Sequence, residues 1–264
     1  MSHLAVPKTY KLYLGGKFPR SESGRTYQLR DADGKLLANA ARASRKDARD
    51  AVVAARKGFA AWSGATPYNR GQVLYRIAEM LDGRRAEFVE LLTRGGADEG
   101  AAGAEVDAAV DRLVHYAGWT DKLPAVFGSS NPISGPYFSY SAPEPTGVVA
   151  AEPDAYVAVT FGEVQATSDL PGWVVNLLTG SSAEIAPHLA AHADVDALDL
   201  TGADGESGDE LERAAAGTIK RVYRPKGTPD FAAAPGTARL RAFLEIKTVW
   251  HPVGALSLAG GSAY

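Results

Sequence analysis

The chain of 264 residues contains no cysteine. That excludes disulfides, thiolate metal sites and a thiolate nucleophile, and it agrees with a reducing, cytoplasmic location, which is the expectation. Charge of one sign is not in excess: 28 basic and 31 acidic side chains leave a formal net charge of −3. This removes the electrostatic case for a nucleic-acid partner or an anionic membrane surface. No apolar run is long enough to span a bilayer. The start, Met1-Ser2-His3-Leu4-Ala5-Val6-Pro7-Lys8, lacks the basic stretch and apolar core of a secretory signal. Internal repeats are missing, as are a Gly-x-Ser-x-Gly motif and a convincing nucleophile–base pair.

What is present suits a globular protein, with 45% hydrophobic and 22% charged residues. Tyr10-Lys11-Leu12-Tyr13-Leu14 alternates like a strand, and Gly15-Gly16 supplies a two-residue hairpin turn. Residues 44–123 read as helices. Ser44 and Asp47 form an N-cap pair, and Ala48, Val52, Ala55, Phe59 and Trp62 then share one face. Thr66-Pro67 starts the next helix, with Val73, Leu74, Ile77 and Leu81 as its stripe. A further helix around residues 101–122 buries Val106, Val110, Leu113, Val114 and Ala117. These stripes are read as core packing.

Prolines 124, 132, 136, 143 and 145 exclude helix from the next stretch, where Tyr137-Phe138-Ser139-Tyr140-Ser141 alternates like an exposed or edge strand. Strands and helices then alternate. Strands are expected at residues 147–150, 173–178, 195–200 and 219–223, and helices at 162–168, at 182–192 and, from a Ser207/Glu210 capping box, through Ala216. This order argues for a parallel, doubly wound sheet. Residues 224–237 read as a linker and residues 258–264 as a flexible tail.

Several stretches, in one order, resemble the first half of an aldehyde dehydrogenase. They are Leu14-Gly15-Gly16-Lys17-Phe18, Glu144-Pro145-Thr146-Gly147-Val148-Val149, Asp169 to Gly180, Ala191 to Asp196, and Thr201-Gly202. Phe243 to Trp250 resembles the family's C-terminal strand, which reaches a neighbouring subunit. The resemblance implies an α/β fold: a reduced Rossmann-like parallel sheet, an N-terminal helical layer, a β oligomerisation arm and a C-terminal strand. The expected divisions are residues 1–123, 124–149, 150–223 and 224–264.

Departures from the family pattern shape the functional expectation. Glu152-Pro153-Asp154 stands where the family has Pro-Trp-Asn, and the following helix and lysine-bearing strand have no room before Glu163. Tyr223-Arg224-Pro225 replaces the family's general-base glutamate segment, and the nucleophilic cysteine is missing. The expected role is a catalytically inactive subunit that assembles with itself or with a full-length aldehyde dehydrogenase. A reduced NAD-dependent oxidoreductase and a homo-oligomeric scaffold are the alternatives.

The one dinucleotide candidate is the turn after the third strand, with Thr201, Gly202 and Gly205 as cofactor-binding residues. Asp204, Glu206, Asp209 and Glu210 crowd that helix start and suit a bare helix dipole better than a pyrophosphate, so a bound NAD is not the leading expectation. His188 and His192 lie four apart on a helix, but surface histidines are the favoured reading, and no metal is expected. Tyr137, Phe138 and Tyr140 in the arm, and Leu244, Ile246, Thr248 and Trp250 in the C-terminal strand, are the candidate interface residues.

Overall fold

The computed structural model describes residues 8–151, 155–203, 205–227 and 229–253. Its N-terminal part is a small mixed sheet. β1 (Lys8–Tyr10) runs parallel to β3 (Leu36–Ala41), and β2 (Thr26–Arg30) runs antiparallel to β3 on its other side. Gly15 and Gly16 turn the chain between Leu14 and Lys17 at φ of 57° and 77°, the left-handed pair that a tight hairpin turn demands.

The helical layer follows from its caps. α1 (Arg45–Gly64) begins at Ser44, whose hydroxyl accepts from the Lys46 and Asp47 amides, while the Asp47 carboxylate accepts from the Ser44 amide at 2.8 Å. α2 (Pro67–Asp82) begins at Thr66, with proline at its first position. α3 (Arg85–Arg94) and α4 (Glu99–Ala117) complete the layer. Val73, Ile77, Leu81, Phe88 and Val106 bury one shared core, joined by Val164 from a later helix, which is fully buried.

After the short α5 (Leu123–Phe127), β4 (Ser129–Asn131) and β5 (Tyr137–Pro145) lead into β6 (Val149–Ala151). Then come α6 (Ala155–Ala166), α7 (Ser182–Ala190), β7 (Ala197–Asp199), α8 (Gly205–Ala216), β8 (Arg221–Tyr223), α9 (Ala238–Ala242) and β9 (Leu244–Pro252). β6, β7 and β8 form a three-stranded parallel sheet with β7 in the centre, all three of its residues buried. Val148, Leu198 and Leu200 pack there against Val52 of α1, Ala190 of α7 and Leu211 and Ala215 of α8. This is the mixed α/β architecture expected, with the parallel sheet and the helical layer in place.

Four expectations need correction. Pro124 does not exclude helix: it stands in the first turn of α5, where its missing amide would have had no partner in the helix. The run Trp173 to Leu178 is not a strand of the sheet; its single bridge joins Leu177 to Tyr13 of the N-terminal hairpin. With no strand there, a cavity of about 430 Å³ lies between β6 and residues 174–182. Ser207 and Glu210 are not a capping box, because α8 already begins at Gly205. Of the two readings of residues 137–141, exposed or edge, the edge fails: β5 is the middle strand of the sheet β4-β5-β9, while Tyr137, Phe138 and Tyr140 are exposed. The tail at residues 258–264, Glu152-Pro153-Asp154 and Asp204 lie outside the described residues.

β5 and β9 pair antiparallel over nine residues, from Tyr137 opposite Pro252 to Pro145 opposite Leu244. The backbone groups on one side of each arm strand are thus satisfied within the chain. The other edge of β9 has no strand beside it among the described residues.

Candidate functional site

In parallel α/β sheets, ligands sit beyond the carboxyl ends of the strands. Here those ends are Ala151, Asp199 and Tyr223. The turn leaving β7 carries Thr201 and Gly202, and Gly202 stands at φ 87°, a left-handed conformation that glycine adopts without strain. α8 opens at Gly205 immediately afterwards. The strand–turn–helix arrangement expected of a phosphate cradle is therefore formed, with Thr201 half-buried and Gly202 and Gly205 exposed.

The chain's own side chains occupy this end of the sheet. Asp199, 6% exposed, receives hydrogen bonds from the Thr201 amide at 3.1 Å and from the Thr201 hydroxyl. Its other carboxylate oxygen is paired with Arg239 of α9. The second amino group of Arg239 donates to Thr201 Oγ1 at 2.7 Å, and the guanidinium lies 5.2 Å from the centroid of the Tyr223 ring. The Tyr223 ring in turn meets the ring of Phe243, just before β9, edge to face at 6.0 Å. Nearby, Arg224 donates to the Gly205 carbonyl at 2.8 Å and to Asp209 at 2.6 Å. The Asp209 hydrogen bond, followed by the attraction of Asp209 and Glu212, holds the Arg224 guanidinium above its usual range despite some desolvation.

These residues do not fit a dinucleotide pyrophosphate. The Thr201 hydroxyl is committed as donor to Asp199 and as acceptor from Arg239. The centre of the strand ends holds a carboxylate and the Arg239 guanidinium paired with it, not a run of free amides, so no free donor faces a pyrophosphate there. Sequence reasoning singled out Thr201, Gly202 and Gly205 and did not reach Asp199, Tyr223 and Arg239, which the structure brings beside Thr201. The signal for Asp199 was available: it is the one charged residue of the expected strand at 195–200 after Asp196. Arg239, forty residues away, has no local signal.

The candidate interface residues are placed on two faces. By the register of β5 and β9, Tyr137 shares a face with Leu244, Ile246, Thr248 and Trp250, whereas Phe138 and Tyr140 lie on the opposite one. Tyr137 and Trp250 meet edge to face at 6.2 Å, and Phe138 stacks on Tyr140 at 5.7 Å. Phe138 is 49% exposed, Ile246 53% and Trp250 59%. His188 lies in α7 and His192 beyond it, where its Nδ1 accepts from the Asp194 amide. No group of metal-ligating side chains occurs among the described residues. None of the described helices is long and apolar enough to cross a membrane.

Comparison with known proteins agrees with this architecture. The solved NAD+ complex of the aldehyde dehydrogenase from Bacillus cereus superposes with a TM-score of 0.75 at 25% identity, covering 81% of this chain and 50% of that one. HpcC from Thermus thermophilus shares the fold, with a TM-score of 0.75 at 24% identity, over 81% of this chain and 47% of that one. Among curated relatives, DhaS of Bacillus subtilis, which its name places with the aldehyde dehydrogenases, is 29% identical over 249 residues, 81% of this chain and 50% of that protein. The chain thus spans about half the length of the curated relative it matches. The family model for aldehyde dehydrogenases matches residues 18–153 and 150–230. More than half of the sequence is covered in this way, and the chain belongs to the aldehyde dehydrogenase family.

Proposed function

We propose that this chain is an aldehyde-dehydrogenase-like subunit without aldehyde-oxidising chemistry of its own, which assembles with itself or with a full-length active member of the family. The observation that carries the first half is the absence of cysteine from all 264 residues. Aldehyde oxidation by covalent catalysis needs a thiolate to attack the carbonyl, and a hydroxyl without a paired base is a poor substitute. The closed strand ends, with Thr201 held between Asp199 and Arg239, support the same reading.

Assembly is supported by the sheet β4-β5-β9. It carries exposed aromatic and aliphatic side chains on both faces, and among the described residues no strand lies beside the outer edge of β9. Such an edge accepts a strand from another chain, and buried aromatics supply much of the energy of protein interfaces. The two properties together describe a pseudoenzyme subunit.

One observation favours a second reading, a reduced NAD-dependent oxidoreductase: the strand–turn–helix at Thr201–Gly202 keeps the geometry of a phosphate cradle. Both readings meet in one assay. The purified chain is given a panel of aliphatic and aromatic aldehydes with NAD+ or NADP+, and reduced cofactor is followed by absorbance. No rate above a heat-killed control is expected. A turnover that survives removal of contaminating enzymes supports the oxidoreductase reading and ends the proposal.

A further inference from the structure

The end of the parallel sheet is built as a receptor for a guanidinium group. Asp199 supplies a buried carboxylate, Thr201 a hydroxyl acceptor and Tyr223 an aromatic face, and the three converge on Arg239. This is the donor–acceptor complement of a planar guanidinium. One amino group meets a carboxylate oxygen, the other meets a hydroxyl oxygen, and the plane is attracted to a ring. An ammonium ion offers neither the fork nor the flat face. A phosphate meets repulsion from Asp199 and finds no free hydroxyl.

We propose that this crevice is a guanidinium-binding site, filled in cis by Arg239. The occupant is tethered. Arg239 lies in α9, five residues from the start of β9, and the Phe243 carbonyl that follows accepts from the Thr146 amide at 3.2 Å. Binding of Arg239 therefore anchors the segment that delivers β9 to β5. The inference is independent of whether the chain assembles.

The test is chemical rescue. In Arg239→Ala the receptor loses its tethered ligand, and ethylguanidinium at low millimolar concentration serves as the probe. The melting temperature of Arg239→Ala should rise with ethylguanidinium in a saturable way, as binding to the folded state alone requires. Ethylammonium at equal ionic strength should have at least about tenfold weaker effect, since it lacks the second hydrogen bond. The intact chain, and the double variant Asp199→Ala with Arg239→Ala, should show no saturable rise. If ethylguanidinium stabilises Arg239→Ala no better than ethylammonium does, or if NAD+ or pyrophosphate stabilises it instead, the proposal is overturned. Should Arg239→Ala not fold, arginine side-chain nitrogen NMR on the intact chain decides. A guanidinium held at two nitrogens rotates slowly about its Nε–Cζ bond, so Arg239 should show separate, slowly exchanging amino signals. A freely rotating Arg239 contradicts the proposal.

Discussion

Thr201 and Arg239, thirty-eight residues apart in sequence, meet at 2.7 Å across the carboxyl ends of β7 and β8. The hydroxyl that the turn would turn toward a phosphate instead accepts from a guanidinium and donates to the carboxylate of Asp199. One contact thus converts the feature of this chain that most resembles a cofactor site into part of its own scaffold.

Cofactor binding follows directly. Isothermal calorimetry of the intact chain with micromolar NAD+ should show no saturable heat, because the pyrophosphate would have to displace Arg239 and then face Asp199. Saturable binding in that range, weakened by replacing Gly202, would show that the turn is open after all.

Gly147 offers a sharp test of the entry to the parallel sheet. Its φ is 128°, and a Cβ built there would lie 2.0 Å from Oδ2 of Asp196. That oxygen accepts from the Val148 amide at 2.7 Å, while Oδ1 of the same carboxylate accepts from Arg56, also at 2.7 Å. Gly147→Ala must strain the backbone and push this carboxylate from both partners. A loss of about 3 kcal/mol or more is expected in urea unfolding. A loss below about 1 kcal/mol would mean that the turn relaxes freely.

Glu163 of α6 ties the helical layer to β1. It receives hydrogen bonds from Lys8 and Arg84, each at 2.8 Å. Burial works to raise its pKa, but the two cationic donors outweigh it and hold the carboxyl below the usual glutamate range. A depressed pKa gives stability that is present in full above the unfolded value of about 4.3 and lost as pH falls through the lower folded value. Glu163→Gln should cost about 1 kcal/mol at pH 7, a figure kept small by the partial exposure of the group. The difference from the unsubstituted chain should shrink as the pH falls below 4 toward the folded value. Urea midpoints at pH 7 and pH 3 check this; a difference that grows in acid contradicts the assignment.

Much of the fold is written locally. The Ser44–Asp47 cap, the Thr66-Pro67 start and the Gly15-Gly16 turn depend on hydrogen bonds and dihedrals within four residues, so their sequence is sufficient to place them. The run Trp173 to Leu178 shows the limit. Its apolar character marks it as half-buried and extended, but a strand also needs a neighbour, and Leu177 finds only Tyr13. The pairing of β5 with β9 joins residues about a hundred positions apart, which no local pattern encodes. The same holds for Arg239: its partners Asp199 and Thr201 are brought to it by the sheet, not by its neighbours in sequence.

The central claim is that the chain is an assembling subunit, and its C-terminal strand is the element to remove. Light scattering would compare the intact chain with a form ending at Ala242, which lacks β9, each alone and mixed with a full-length aldehyde dehydrogenase from the same host. Loss of β9 uncovers the backbone of β5 and removes Ile246 and Trp250 from the exposed face. The intact chain should form a defined multimer or a mixed complex, and the shortened form a monomer or an aggregate. An intact chain that stays monomeric at every concentration, alone and in the mixture, would contradict the account, as would a shortened form that assembles equally well.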